Sequence, residues 1–226
     1  MTPRDGPMDA RTMSRVITRL RGSVPEWNTT ALAAIAHETA RDPFRVLIGC
    51  LLSLRTRDET TGPAAARLFA LADTPAAIRA LPRRRIERAI YPVGFYRTKA
   101  RVLHAVCREL TLRFGGAVPA DLDALLTLPG VGRKTANLVV TMGFGLPGIC
   151  VDTHVHRISN RLGFVRTRNP EETEWALREK LPRRHWIAFN DLLVAFGQNV
   201  CQPLSPRCSV CRVAGSCHRV GVSRSR

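Results

Sequence analysis

The sequence predicts an all-α protein, and three observations carry that expectation. Apolar residues recur at three- and four-residue spacing in segment after segment, as in Met13, Val16, Ile17 and Leu20, which puts them on one face of a helix. Helix-start chemistry stands before several such segments: Asp42 with Pro43, Thr74 with Pro75, and Asn169 with Pro170 and Glu172. Nowhere does alternation with a period of two persist, so no strand is expected.

Taken in order, residues 1–7 are polar and rich in proline and glycine, a frayed start. Helices are expected over 8–21 and 31–40, with a turn at 22–27 between them. After Asp42 and Pro43 the segment 44–54 is apolar nearly all round, the mark of a helix at the centre of a core. It ends in Ser53-Leu54-Arg55-Thr56-Arg57-Asp58, a polar cluster that must lie at a surface or cleft, where Asp58 can cap the next helix. Helices follow over 60–72, 74–81 and 83–90. Residues 91–99 break the pattern and set aromatics between cations at a glycine turn; such aromatics either close a core or stack on bases. A long helix over 100–114 leads through Gly115-Gly116 to a hairpin, and helices over 152–162, 170–181 and 184–200 complete the chain.

At 226 residues and 45% hydrophobic composition the chain can bury a substantial core, as one large or two small domains. A formal charge of +17 implies a polyanionic partner, nucleic acid first and an anionic membrane surface as the alternative. The longest apolar run, 46–52, is far too short to span a bilayer, and no secretory signal is evident, so an intracellular protein is expected.

Leu128-Pro129-Gly130-Val131-Gly132-Arg133-Lys134-Thr135-Ala136 combines a glycine hairpin, a helix start and an amine in nine residues. Asp121 can cap the short helix before it, Pro129 and Gly130 stop that helix, and Gly132 permits the tight turn before the next. The N–H groups of such a turn and the positive end of the following helix suit a phosphate. Of 35 basic residues only three are lysine, at 99, 134 and 180, so arginine is the default cation and Lys134 is a pointed exception. A partly desolvated lysine at a helix start can lose its proton and attack carbon; the alternative is a plain phosphate contact. Eighteen residues on, Asp152 opens a helix in Val151-Asp152-Thr153-His154. It is either an ordinary N-cap or, paired with Lys134, a proton acceptor or a stabiliser of positive charge.

Cys201, Cys208, Cys211 and Cys217 form a C-x6-C-x2-C-x5-C array. In an intracellular chain four clustered cysteines point to a metal centre, and spacing leaves zinc and iron–sulfur both open. Cys50, Cys107 and Cys150 sit among apolar residues and read as core thiols.

The hairpin LPGVGRKTAN, the VDTH after it and the cysteine array, in this order, resemble endonuclease III, a bifunctional DNA glycosylase family of the helix-hairpin-helix superfamily. The resemblance runs from about residue 43 to residue 217. It implies a helical barrel over 36–147 that bears the hairpin, a second domain formed by 1–35 and 148–226, and an active site in the cleft between them. Lys134 would be the nucleophile and Asp152 its partner. Cys201, Cys208, Cys211 and Cys217 would hold a [4Fe-4S] cluster with a structural role. In the family a glutamine in the loop matching 53–58 fills the gap left by a flipped base. Arg55 stands there in this sequence and would read the orphan base differently. Phe95 would be the wedge in the duplex, Gly130, Gly132 and Arg133 would hold phosphate, His154 would order the aspartate or touch DNA, and Ser53 and Asp58 would line or brace the pocket mouth. The implied partner is double-stranded DNA with damaged pyrimidines or abasic sites, handled by a monomer through a lysine Schiff base and β-elimination. Two alternatives remain: a mismatch-type uracil or thymine glycosylase of the same superfamily, or a non-catalytic, cluster-bearing DNA-binding protein in which Lys134 only touches phosphate.

Overall fold

All regular structure among the described residues is helical. The computed structural model of the protein describes residues 8–24, 27, 35 and 42–226. Its α-helices are α1 (Ala10–Arg21), α2 (Pro43–Ser53), α3 (Asp58–Leu71), α4 (Pro75–Ala80), α5 (Arg83–Ile90), α6 (Tyr96–Arg113), α7 (Leu122–Leu126), α8 (Arg133–Leu138), α9 (Thr153–Arg161), α10 (Pro170–Lys180) and α11 (Trp186–Asn199). The polar start at 1–7 and the helix expected over 31–40 lie outside the described residues, apart from Ile35, which is helical and buried.

Helices start where the sequence supplies a capping side chain. Asp9 Oδ1 accepts from Thr12 N at 2.7 Å, Thr74 Oγ1 from Ala77 N at 3.2 Å and Asn169 Oδ1 from Glu172 N at 2.8 Å. Glu172 accepts in turn from Asn169 Nδ2 and from Arg168 N, the residue before the cap, which ties the helix start down from both sides. Three boundaries differ from the sequence expectation. Asp58 does not cap α3 but is its first residue, with Arg57 in the cap position; Asp58 and Glu59 instead set negative charge against the helix's positive end. α6 begins at Tyr96 rather than 100, because Phe95 takes a left-handed conformation (φ 58°) that turns the chain straight into the helix. α8 runs on into a π-helical turn, Val139–Gly143, that periodicity did not foretell.

The chain divides into two compact units, Thr30–Gly148 and Met1–Thr29 with Ile149–Arg226. In the first, α2 is the axis: Phe44, Val46, Leu47, Ile48, Cys50, Leu51 and Leu52 are all buried, and α3, α6, α8 and the π-helical turn pack around it. The approach is close, since a Cβ on Gly143 would stand 3.0 Å from Pro43 Cα. Burial of so many large side chains, each worth about 1.5–3 kcal/mol, makes α2 the rigid reference for the loops at its end. In the second unit, α1 brings Met13, Val16, Ile17 and Leu20 into a core shared with α9, α10 and α11 through residues such as Ile158, Leu177, Phe189 and Phe196. Among the described residues no helix is long and apolar enough to cross a membrane.

Candidate active site

The hairpin is built from two short helices and a glycine. Asp121 Oδ1 accepts from Ala124 N at 2.8 Å and starts α7, and Thr127 closes it. Gly130 then takes φ +73°, with its α-carbon hard against Val102 of α6; a Cβ there would meet Val102 Cγ1 at 2.8 Å. The tight turn therefore belongs to Gly130. Gly132, at φ −93°, is the N-cap of α8 and needs no special conformation. Thr135, Ala136, Asn137 and Leu138 are buried and pin α8 down, while Lys134, in its first turn, is exposed rather than partly desolvated. Arg133 beside it is half-buried. Beneath them lies Cys50 of α2, whose thiol burial pushes up to about 12 against the pull of the Lys134 charge.

Asp152 is the N-cap of α9. Its Oδ1 accepts from His154 N and Val155 N, both at 2.9 Å, so the capping role seen in the sequence is real whatever else the carboxylate does. His154 lies with Nδ1 3.2 Å from Arg157 Nη2, which in turn donates to the Cys201 carbonyl at 2.9 Å. A Cβ on Gly197 would collide with the His154 ring, so the glycine in α11 makes the room for it. His156 turns away to Thr173 Oγ1 at 2.7 Å.

Two loops at the end of α2 and the start of α6 carry the remaining polar candidates of the first unit. Ser53 Oγ folds back to donate to the Cys50 carbonyl at 2.9 Å. Arg55 is exposed and left-handed (φ 52°), and its guanidinium carbon stands 5.9 Å from the centre of the Phe95 ring. Phe95 is 63% exposed, where phenylalanine is among the residue types most often buried. Asp58 is exposed at the far end of the loop. Sequence reasoning missed what holds these loops, the buried Lys99; its one signal was that lysine is rare in this chain.

The four cysteines of the array line one pocket, walled also by apolar residues including Ile158, Leu162, Phe196 and Val213. Among the described residues no three His, Cys, Asp or Glu side chains close around the position of a single ion. Burial raises the thiols of Cys211 and Cys217, the latter to about 11. Sulfur is met by N–H donors: Arg161 Nη1 at 3.6 Å from Cys201 Sγ, and Arg219 N at 3.4 Å from Cys217 Sγ. Arg161 is buried and its other bonds go to the carbonyls of Gln202 and Pro203, so a cation braces the array from inside. The sequence offered no sign of that, since Arg161 falls on a helix face like any other arginine. Arg207 and Arg212 are exposed around the rim.

Residues 48–183, which contain the hairpin, Lys134 and Asp152, match the HhH-GPD superfamily of base excision DNA repair proteins. Endonuclease III of Thermotoga maritima is 48% identical over 176 residues, an alignment covering 78% of this chain and 83% of that one. The chain belongs to the endonuclease III family. Two solved structures of family members have the same fold over nearly the whole length. A non-covalent endonuclease III–DNA complex superposes with a TM-score of 0.81 at 35% identity, covering 93% of this chain and 95% of the other. A trapped endonuclease III–DNA covalent intermediate, an estranged-adenine complex, does so with a TM-score of 0.80 at 33% identity and coverage of 93% and 96%. Chloroplastic endonuclease III homologues of Arabidopsis thaliana are longer, and the chain spans about half their length (48% and 47%).

Proposed function

We propose that the protein is a DNA glycosylase with abasic-site lyase activity that removes oxidised pyrimidines from double-stranded DNA. The observation that carries this reading is Lys134, exposed in the first turn of α8 directly after the Gly130 turn, in a chain of the endonuclease III family. A damaged pyrimidine leaves the stack more cheaply than a sound base and is flipped out of the duplex. Lys134 then attacks the sugar through its amine lone pair: the Nζ–C1′ bond forms, the bond from C1′ to the base breaks, and the base departs with that electron pair and a proton given up by Nζ. The nitrogen lone pair then breaks the C1′–O4′ bond, O4′ takes a proton from water, and the opened sugar is held as a protonated imine. Loss of a proton from C2′ expels the 3′ phosphate oxygen, which nicks the strand on the 3′ side of the lesion. Asp152 takes the proton from the amine or stabilises positive charge on the sugar. Backbone N–H groups at Gly130 and Gly132, together with Arg133, hold phosphate, and His154 orders Asp152 or touches the DNA. Arg55 fills the space of the flipped base, Phe95 enters the stack beside it, and Ser53 and Asp58 brace the pocket mouth.

Cys201, Cys208, Cys211 and Cys217 hold a [4Fe-4S] cluster, which supplies a fixed scaffold for the 201–217 loop rather than a step of the reaction. What supports this is the donor set: four thiols around one apolar cavity, with guanidinium and backbone N–H groups aimed at sulfur. Purified protein is expected to contain about four iron atoms and about as much acid-labile sulfide per chain.

The reading is tested by incubating wild type and Lys134→Gln with a duplex carrying one thymine glycol and following base release and strand cleavage separately. Wild type should do both and the variant neither, while both bind the duplex. Base release without cleavage in wild type would instead favour a monofunctional mismatch-type enzyme. Binding without either would leave the non-catalytic alternative.

A further inference from the structure

Lys99 is 8% exposed, and its ammonium is surrounded by three neutral oxygens: the carbonyls of Leu52 at 2.6 Å and Leu54 at 2.5 Å, and Thr56 Oγ1 at 2.9 Å. An ammonium has three N–H bonds, so every donor is used. The carbonyls are those that the last turn of α2 leaves without helical partners. The same Thr56 hydroxyl accepts the Gly94 N–H at 3.2 Å, and a Cβ on Gly94 would stand 2.6 Å from the Arg55 carbonyl oxygen. One buried cation thus ties the 53–57 loop to the start of α6, and the two residues it flanks, Arg55 and Phe95, are the left-handed, outward-facing ones. Arginine, the usual cation of this chain, would not serve, because its planar fork cannot point at three oxygens converging on one atom.

From this geometry we propose that Lys99 is a positioning residue that locks the Arg55 and Phe95 loops into one rigid body, so that plug and wedge enter a duplex together. The inference rests on the reading of Arg55 and Phe95 as DNA-contacting residues and adds to it the device that fixes their spacing. Loops held beforehand in the bound shape lose less conformational freedom on binding, and a gain of that kind is felt equally by the bound substrate and the transition state.

The test is steady-state cleavage of a thymine-glycol duplex by Lys99→Met, combined with a double-mutant cycle. Lys99→Met is expected to raise KM about tenfold with kcat within about twofold of wild type, the pattern for lost uniform binding. In wild type, Arg55→Ala and Phe95→Ala should be coupled in their effect on KM; in the Lys99→Met background the two effects should become additive. A variant that only weakened the fold would lower the melting temperature without changing that coupling. If Lys99→Met does not fold, Thr56→Val, which removes only the hydroxyl shared with Gly94, takes its place in the same cycle. Unchanged KM and unchanged coupling overturn the proposal. Should Arg55→Ala and Phe95→Ala themselves leave duplex binding intact, the failure lies in the underlying reading of the two loops.

Discussion

Asp152 illustrates how one residue can be accounted for twice. Its Oδ1 caps α9 through two backbone N–H groups, and a cap alone would justify an aspartate there. Asparagine caps about as well, so Asp152→Asn separates the two roles. Stability is expected to stay within about 1 kcal/mol of wild type by thermal melting. Base release, if the carboxylate moves protons or balances charge, should fall by about 10²-fold or more. Loss of neither would leave Asp152 a cap only. At this scale the sequence was informative where residue choice departs from the chain's habit, as Lys134 does among arginines, but it gave the tight turn to Gly132 where the left-handed residue is Gly130. Lys99 departs from the same habit, yet its partners are carbonyls 45 and 47 residues away, and no side chain in the sequence announces them.

Helices with a capping side chain were legible nearly to the residue, because the cap is local chemistry. The start of α6 was not, since Phe95 is held left-handed in a loop that Gly94 and Lys99 brace against Thr56 and Leu52, far back in the sequence. The π-helical turn at Val139–Gly143, whose Gly143 packs closely on Pro43, likewise follows no pattern in its own residues. The element-level consequence is a prediction at Gly94. A methyl group there would meet the Arg55 backbone carbonyl at 2.6 Å, and neither backbone can yield without moving its loop. Gly94→Ala should weaken binding of a lesion duplex by about tenfold or more and lower the melting temperature by a few degrees, ~1–3 kcal/mol of overpacking. An affinity equal to wild type in a titration would show that the loops do not need to touch.

At the scale of the whole molecule, charge and helix content were both readable from composition and periodicity, and the cysteine spacing gave the expectation of a metal centre without choosing between zinc and iron–sulfur. Packing was less so: Arg161, buried among the cysteines, could not be told from a surface arginine by its position in α9. The formal charge of +17 makes duplex binding dependent on counterion release. Affinity for undamaged duplex should therefore fall log-linearly with salt, by about 10³-fold between roughly 50 and 200 mM. Lys134→Gln should reduce that slope by no more than about one. A much flatter dependence would mean that few phosphates are held. The central claim, that Lys134 is the nucleophile of a Schiff-base reaction, is tested most directly by borohydride trapping on duplexes carrying an abasic site or a thymine glycol. Wild type is predicted to give a covalent protein–DNA band with both substrates and Lys134→Gln none; a band of undiminished intensity in the variant, or none in a wild type that binds both duplexes, would contradict it.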